Sequence, residues 1–214
     1  MGMKAIVVLN GDIPRAEFIK RLAAGTKVVI AADGAAKKLL AMGIKPSTVV
    51  GDMDSLDKTT LKKIKGAGIK VVRLPVEKEF TDGSFAVEEA ARQGASEISL
   101  LGVFGGLRLD HSVANLLMLC AKNLEDLTIA AMDERNSLTV VRKHLIVEGK
   151  RGEVVSLIPL AGKVMGIYTN GLKYPLANGT LEIGSTKGIS NVMTLNRASV
   201  KIKSGLLLVG HHKA

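Results

Sequence analysis

The chain has no tryptophan, one cysteine and only 3% aromatic residues among 214 positions. A lone Cys120 can close no internal disulfide and can build no multi-cysteine metal site, which suits a reducing, cytoplasmic setting. No apolar run approaches the roughly 18 residues that a membrane span needs. The apolar stretch in "MGMKAIVVLNGD" is too short for a signal peptide and continues into what reads as a first strand. No GxxxxGK[ST] occurs, which excludes a P-loop, and no complete GxGxxG, which removes the dinucleotide fingerprint. Scarce aromatics and the lack of an arginine-rich helix disfavour nucleic acid as a partner.

What is abundant is positive charge, +10 overall. Residues 1–134 hold 18 Lys and Arg against 17 Asp and Glu, an excess of +1; residues 135–214 hold 12 against 3, an excess of +9. A basic face attracts phosphate-bearing partners or simply keeps the chain soluble.

The text changes style near the same point. Up to Glu134, Val- and Ile-rich runs alternate with helical patterns: "KAIVVLN", "KVVIAAD", "STVVGDMD", "IKVVRLP" and "EISLLGV" each precede an amphipathic stretch. Such runs suit strands covered on both faces, and repeated βα units imply a parallel sheet between helix layers. Beyond Arg135 the period becomes two. "SVKIKSG" sets Val200 and Ile202 against Lys201 and Lys203, and "GTLEIGS" pairs Leu181 with Ile183, as antiparallel strands with one wet face do. The expected architecture is α/β plus all-β: a three-layer parallel-sheet domain over 1–134, then an antiparallel β-sandwich over 135–214.

In a parallel sheet the carboxyl ends of the strands share one edge, where ligands bind. Asp33, Asp52 and Asp54 fall at such ends, and Asp82 and Asp110 at helix starts. Like charges gathered there are relieved by a divalent cation, and an all-oxygen donor set points to Mg²⁺. In an extended segment Asp52 and Asp54 would point the same way. Each aspartate alone has a plainer reading as a helix cap, Asp82 for "GSFAVEEAARQ" and Asp54 or Ser55 for the helix that follows them. Glycine breaks in "LNGD", "ADGAA" and "VFGGL" would let backbone N–H groups approach an anion, with Lys78 and Arg108 as basic partners. His111 either meets a ligand or caps its helix. His144, His211 and His212 have no metal-ligand spacing and are expected in solvent, and Cys120 in the core.

Together, "AADGAAKKL", "VVGDMDSL", "EKEFTD", "GGLRLDHSVAN" and "GISN" after "NGLKYPL" resemble the thiamine pyrophosphokinase family along nearly the whole chain. The resemblance implies an N-terminal ATP-binding domain, a C-terminal thiamine-binding sandwich, a homodimer, and transfer of diphosphate from ATP to the thiamine hydroxyl with release of AMP. It makes Asp52, Asp54 and Asp82 the magnesium carboxylates, with Arg108 beside them in catalysis. Asp33, Lys78, Thr81, Asp110, His111 and Asn115 fall to the nucleotide. Tyr174, Ser190 and Asn191 fall to thiamine, although Tyr174 also reads as a strand residue in an apolar patch and Ser190–Asn191 as a turn.

Three departures stand out: Glu79 where the family has aspartate, Leu107 between the glycine pair and Arg108 so that either a glycine is replaced or the turn is one residue longer, and Ala35 in place of a second glycine. The general base is left open between Asp82 and Asp54. Two other activities fit parts of the pattern: a diphosphokinase for another heterocyclic alcohol of the hydroxymethylpterin type, and a basic nucleotide- or RNA-binding regulator whose aspartates only cap helices.

Overall fold

The computed structural model describes residues 2–106 and 108–213; the Leu107 departure lies outside them. The chain forms two compact units, the first ending at Glu134 and the second beginning at Arg135.

The first unit alternates strand and helix: β1 (Met3–Val8), α1 (Ala16–Ala23), β2 (Val28–Ala32), α2 (Ala35–Ala41), β3 (Thr48–Gly51), α3 (Lys58–Gly66), β4 (Lys70–Arg73), α4 (Asp82–Arg92), β5 (Ala95–Leu101), α5 (Leu109–Met118) and β6 (Thr128–Met132). All its strand pairings are parallel, in the order β4-β3-β2-β1-β5-β6. The doubly covered pattern is explicit in β1. Ile6 and Val8 pack with Phe18, Ile19, Leu39 and Ile64 from α1 to α3. On the alternate pleat Ala5 and Val7 are also buried, and α4 packs on β1, β2, β3 and β5 with Ala86, Val87 and Ala90 fully enclosed. Each such aliphatic side chain contributes about 1.5–3 kcal/mol by leaving water.

Three elements differ from expectation. Strand β4, expected to be covered on both faces, is the edge strand and leaves Val71 44% exposed. A sixth parallel strand, β6, follows the five repeats. The last helix stops at Met118 and gives way to a 3₁₀ turn at Lys122–Leu124, leaving Cys120 half-buried rather than in the core. Ala35 opens α2 directly after Gly34, fully buried in helical conformation, where no glycine is needed.

The second unit comprises β7 (Asn136–Val141), β8 (His144–Glu148), β9 (Val154–Asn170), β10 (Gly179–Glu182), β11 (Asn191–Val192), β12 (Arg197–Lys201) and β13 (Ser204–His212), all paired antiparallel. The long β9 serves both layers: its first part lies between β13 and the short β11, while Tyr168–Asn170 pair with β12. Gly162 (φ +51) and Gly166 (φ +64) let it bend between these partners. Val155, Leu157, Val164, Ile167, Val200, Leu207 and Val209 fill the core. Val200 and Ile202 share the buried side as expected. Ile183 does not join Leu181, because β10 ends at Glu182 and leaves Ile183 61% exposed.

No helix among the described residues is long and apolar enough to cross a membrane.

Candidate active site

The parallel register of β2 and β3 sets Ala32 beside Val50, so the residues that leave these strands emerge side by side. Asp33 follows β2 at φ +42, and its N–H donates to the Val50 carbonyl at 2.8 Å. Asp52 follows Gly51, which carries no side chain because a Cβ there would stand 2.9 Å from that of Asp33. The Asp52–Asp54 segment is not extended. Met53 turns left-handed at φ +71, and the Asp54 N–H donates back to Asp52 Oδ1 at 3.2 Å. A non-glycine residue pays strain for that geometry, and two occur within one cluster. The result is that Asp33, Asp52 and Asp54 each present an oxygen within 4.8 Å of the others.

Asp82 stands one ion pair away. Lys78 Nζ lies 3.0 Å from Asp52 Oδ2 and 3.2 Å from Asp82 Oδ1, and also donates to the Pro75 carbonyl at 3.1 Å. The basic partner assigned to phosphate is thus held between two carboxylates. The Asp54 N–H, then Lys78, hold the Asp52 carboxyl below its ordinary value. Burial pushes Asp82 up despite Lys78. Burial also opposes the charge on Lys78, but hydrogen bonds to Asp52 and Asp82 leave it above the usual ammonium value.

The capping explanation for these aspartates does not hold. Helix α3 is capped by Asp57, which accepts from the Thr60 N–H at 2.8 Å, and α4 by Thr81, which accepts from the Ser84 N–H at 3.3 Å. Neither Asp54 nor Ser55 caps α3, and Asp82 is the first helical residue of α4 rather than its cap. Among the described residues Asp33 Oδ1 and Asp82 Oδ1 are buried without a hydrogen-bond partner, Asp82 Oδ1 having only its ion pair with Lys78. A buried orphan acceptor within an all-carboxylate set, with no histidine or cysteine in it, fits a hard divalent cation such as Mg²⁺. Asp33, Asp52 and Asp54 form the group whose oxygens lie within 4.8 Å of one another, and Asp82 borders it with Lys78 between Asp82 and Asp52.

A cavity of about 300 Å³ opens beside the cluster, lined by Asn10, Asp33, Lys78, Thr81, Asp82, His111 and Asn115 among others. A second of about 290 Å³ shares Asn10, His111 and Asn115 and adds Gly11, Gly102, Gly105, Gly106 and Arg108. His111 caps nothing and is exposed toward both. Arg108 and Asp110 are bound to each other through two contacts, at 2.9 and 2.6 Å, on the surface. That bidentate bond brings the Asp110 carboxyl down to about 2. Asp110 lines neither of these two cavities, and Glu79 is exposed and lines neither.

The expected free amides of "LNGD" are committed: Gly11 N–H donates to Gly102 O at 3.0 Å and Asp12 N–H to Phe104 O at 2.7 Å. Two residues escaped the sequence reading. Asn10 lies between both cavities, and Lys38 donates to the carbonyls of Asn10 and Gly11 at 2.9 and 3.0 Å. Asn10 obeys the same strand-end logic as Asp33; Lys38 has no signal distinguishing it from Lys37, which pairs with Asp57.

In the second unit Tyr174 lies in a loop rather than a strand, 63% exposed, with Lys173 Nζ 5.4 Å from its ring centre. Asn191 is 9% exposed and bonds to the Tyr174 main chain. Ser190 is exposed, at φ +60, with its N–H on Ser156 Oγ at 3.0 Å. His144 and His212 face solvent, but His211 does not. It is 5% exposed, with Nε2 2.7 Å from Glu153 Oε2. It continues the inward alternation of Leu207 and Val209, so the strand buries it and Glu153 satisfies it.

The family model described as thiamin pyrophosphokinase, catalytic domain, matches residues 19–131, and that described as thiamin pyrophosphokinase, vitamin B1 binding domain, matches residues 143–207. The thiamine pyrophosphokinase of Bacillus subtilis (strain 168) is 28% identical over 182 residues, covering 84% of this chain and 85% of the relative. The crystal structure of thiamin pyrophosphokinase from Geobacillus thermodenitrificans is similar at a TM-score of 0.84 and 29% identity, covering 99% of this chain and 98% of that one. That of thiamine pyrophosphokinase from Bacillus subtilis gives 0.84 at 25% identity, covering 98% and 99%. With both halves matched in order and the carboxylate edge in place, this chain belongs to the thiamin pyrophosphokinase family.

Proposed function

We propose that this chain transfers a diphosphate group from ATP to the hydroxyl of thiamine, giving thiamine diphosphate and AMP. The observation that carries the reading is the convergence of Asp33, Asp52 and Asp54 beside a cavity lined by Lys78, Thr81 and Asp82, in a chain whose two units match the two family models.

The thiamine oxygen forms a bond to the β-phosphorus, the bond from that phosphorus to the α–β bridging oxygen breaks, and AMP departs with the bonding pair. Asp33, Asp52 and Asp54 hold Mg²⁺ in this reading. When bound, the ion supplies neutralisation of phosphate charge and in-line orientation. Asp82 is the carboxylate best suited to take the hydroxyl proton. It stands outside the three-carboxylate group, and burial raises it toward a useful base. Lys78 balances Asp52 and Asp82, while His111, Asn115 and Arg108 border the space for the nucleotide. Asp110 acts through Arg108 by holding its guanidinium. Tyr174 offers an exposed ring to the thiamine heterocycle, with Ser190 and Asn191 next to it. The resemblance and the single cysteine extend the reading to a homodimer in the cytoplasm.

The test is AMP release from Mg-ATP with and without thiamine, in the wild type and in Asp52→Asn. Thiamine-dependent AMP that vanishes in the variant supports reaction and cluster together; no AMP with thiamine moves the acceptor to another alcohol, and AMP released equally without thiamine means transfer to water.

A further inference from the structure

From Gly171 to Lys173 the chain runs antiparallel to Val192–Thr194. Lys173 N–H donates to Val192 O at 2.8 Å, Thr194 N–H to Gly171 O at 2.9 Å, and Leu172 bridges Met193. This register sets Asn191 opposite Tyr174, and the next main-chain pair would fall on Pro175, which has no N–H to give. The next rung is made by a side chain. Asn191 Nδ2 donates to Tyr174 O at 2.7 Å, and Asn191 Oδ1 accepts from Tyr174 N–H at 3.0 Å and from Val192 N–H at 2.9 Å. A carboxamide carries the same donor and acceptor as a peptide group, so from β11 it holds the Tyr174 main chain as a neighbouring strand would.

Both acceptor sites of Oδ1 and one donor of Nδ2 are thereby spent, and the side chain is nearly buried, which leaves little of it to offer a ligand. The far side of the loop is pinned as well. Leu176 N–H donates to Thr169 Oγ1 at 2.8 Å and Thr169 N–H to Leu176 O at 2.9 Å, while Pro175 restricts the backbone of Tyr174. The backbone of Tyr174 is fixed on both sides while its ring stands in solvent.

We infer that Asn191 is a positioning residue for Tyr174: its carboxamide sets the ring that meets thiamine and does not itself contact the substrate. This rests on the reading of Tyr174 as the thiamine-side aromatic.

The chain has two tyrosines and no tryptophan, so in a Tyr168→Phe background Tyr174 is the sole strong emitter. In that background Asn191→Ala lowers the fluorescence anisotropy of Tyr174 and raises the thiamine KM about tenfold, with kcat and the ATP KM held within about twofold. Adding Asn191→Ala to Tyr174→Ala produces no further rise in thiamine KM, since the two act as one unit. Asn191→Asp keeps both acceptor contacts and falls between wild type and Asn191→Ala; it carries the test alone if Asn191→Ala does not fold. A double variant whose KM increases multiply overturns the inference and makes Asn191 a direct ligand. If Tyr174→Ala leaves the thiamine KM unmoved while Asn191→Ala still frees the ring, the thiamine role of Tyr174 falls and only the backbone clamp stands.

Discussion

Lys78 Nζ lies 3.0 Å from Asp52 Oδ2, and the two side chains are 11% and 10% exposed. The ammonium keeps Asp52 and Asp82 from facing each other as bare anions. In metal-free protein Lys78→Met lowers stability at neutral pH by about 1–2 kcal/mol. Without Lys78, Asp82 is raised further by burial, so its charged form costs stability above its folded value and that cost disappears as it protonates. Urea midpoints at pH 7.5 and pH 5 check this: the deficit shrinks at the lower pH. An equal deficit at both assigns the loss to packing alone.

Asp54 and Asp57 are three residues apart with opposite duties. Asp57→Ala removes the α3 cap and lowers the Tm with turnover intact. Asp54→Ala leaves thermal stability near wild type and abolishes most Mg-dependent turnover. Reversal of the two phenotypes would return Asp54 to a structural role.

Gly11 has no room for a methyl group, because a Cβ there collides with the carbonyl oxygens of Phe104 and Gly102. Both are backbone and cannot swing aside. Gly11→Ala therefore spreads the β1 and β5 loops, destabilises by about 1–3 kcal/mol and raises the ATP KM more than the thiamine KM. Steady-state kinetics with each substrate varied in turn separates the two.

Glu153 is buried beside His211, and burial alone would raise it. The Lys150 N–H, His211 and Lys213 together outweigh burial and hold it below its ordinary value. Its contribution is therefore full above the unfolded pKa, about 4.3, and fades as pH falls through the lower folded value. Thermal melts of Glu153→Gln show a lower Tm than wild type at pH 7, with the gap closing below about pH 4. A gap independent of pH would mean that only the hydrogen bonds, not the charge, matter.

Much of this was legible in the sequence. Doubly buried parallel strands read as Val and Ile runs, and topology alone then brings Asp33, Asp52 and Asp82 to one edge. Strand β6 was not legible, because "TIAAM" lacks the β-branched density of its neighbours and is followed by no helix. Met53 carries no signal for a left-handed backbone, so the turn that draws Asp52 and Asp54 together looked like extended chain. His211 was expected in solvent, although alternation with Leu207 and Val209 turns it inward. Its partner lies 58 residues away and is set only by how β9 and β13 pair. Ser190 and Asn191 were recognisable as a pair, yet nothing in "GISN" says that the asparagine side chain holds the main chain of Tyr174.

Asp33 and Asp82 line the first cavity and Asp52 and Asp54 stand beside it, while Lys78 pairs with Asp52 and Asp82. That surplus of carboxylates acts as a sieve on what may enter. A bare polyphosphate meets net repulsion, whereas one that arrives already partly neutralised does not. Order of arrival is thus written into the charge of the rim, and ATP binding measured in EDTA falls away where Mg-ATP binding persists.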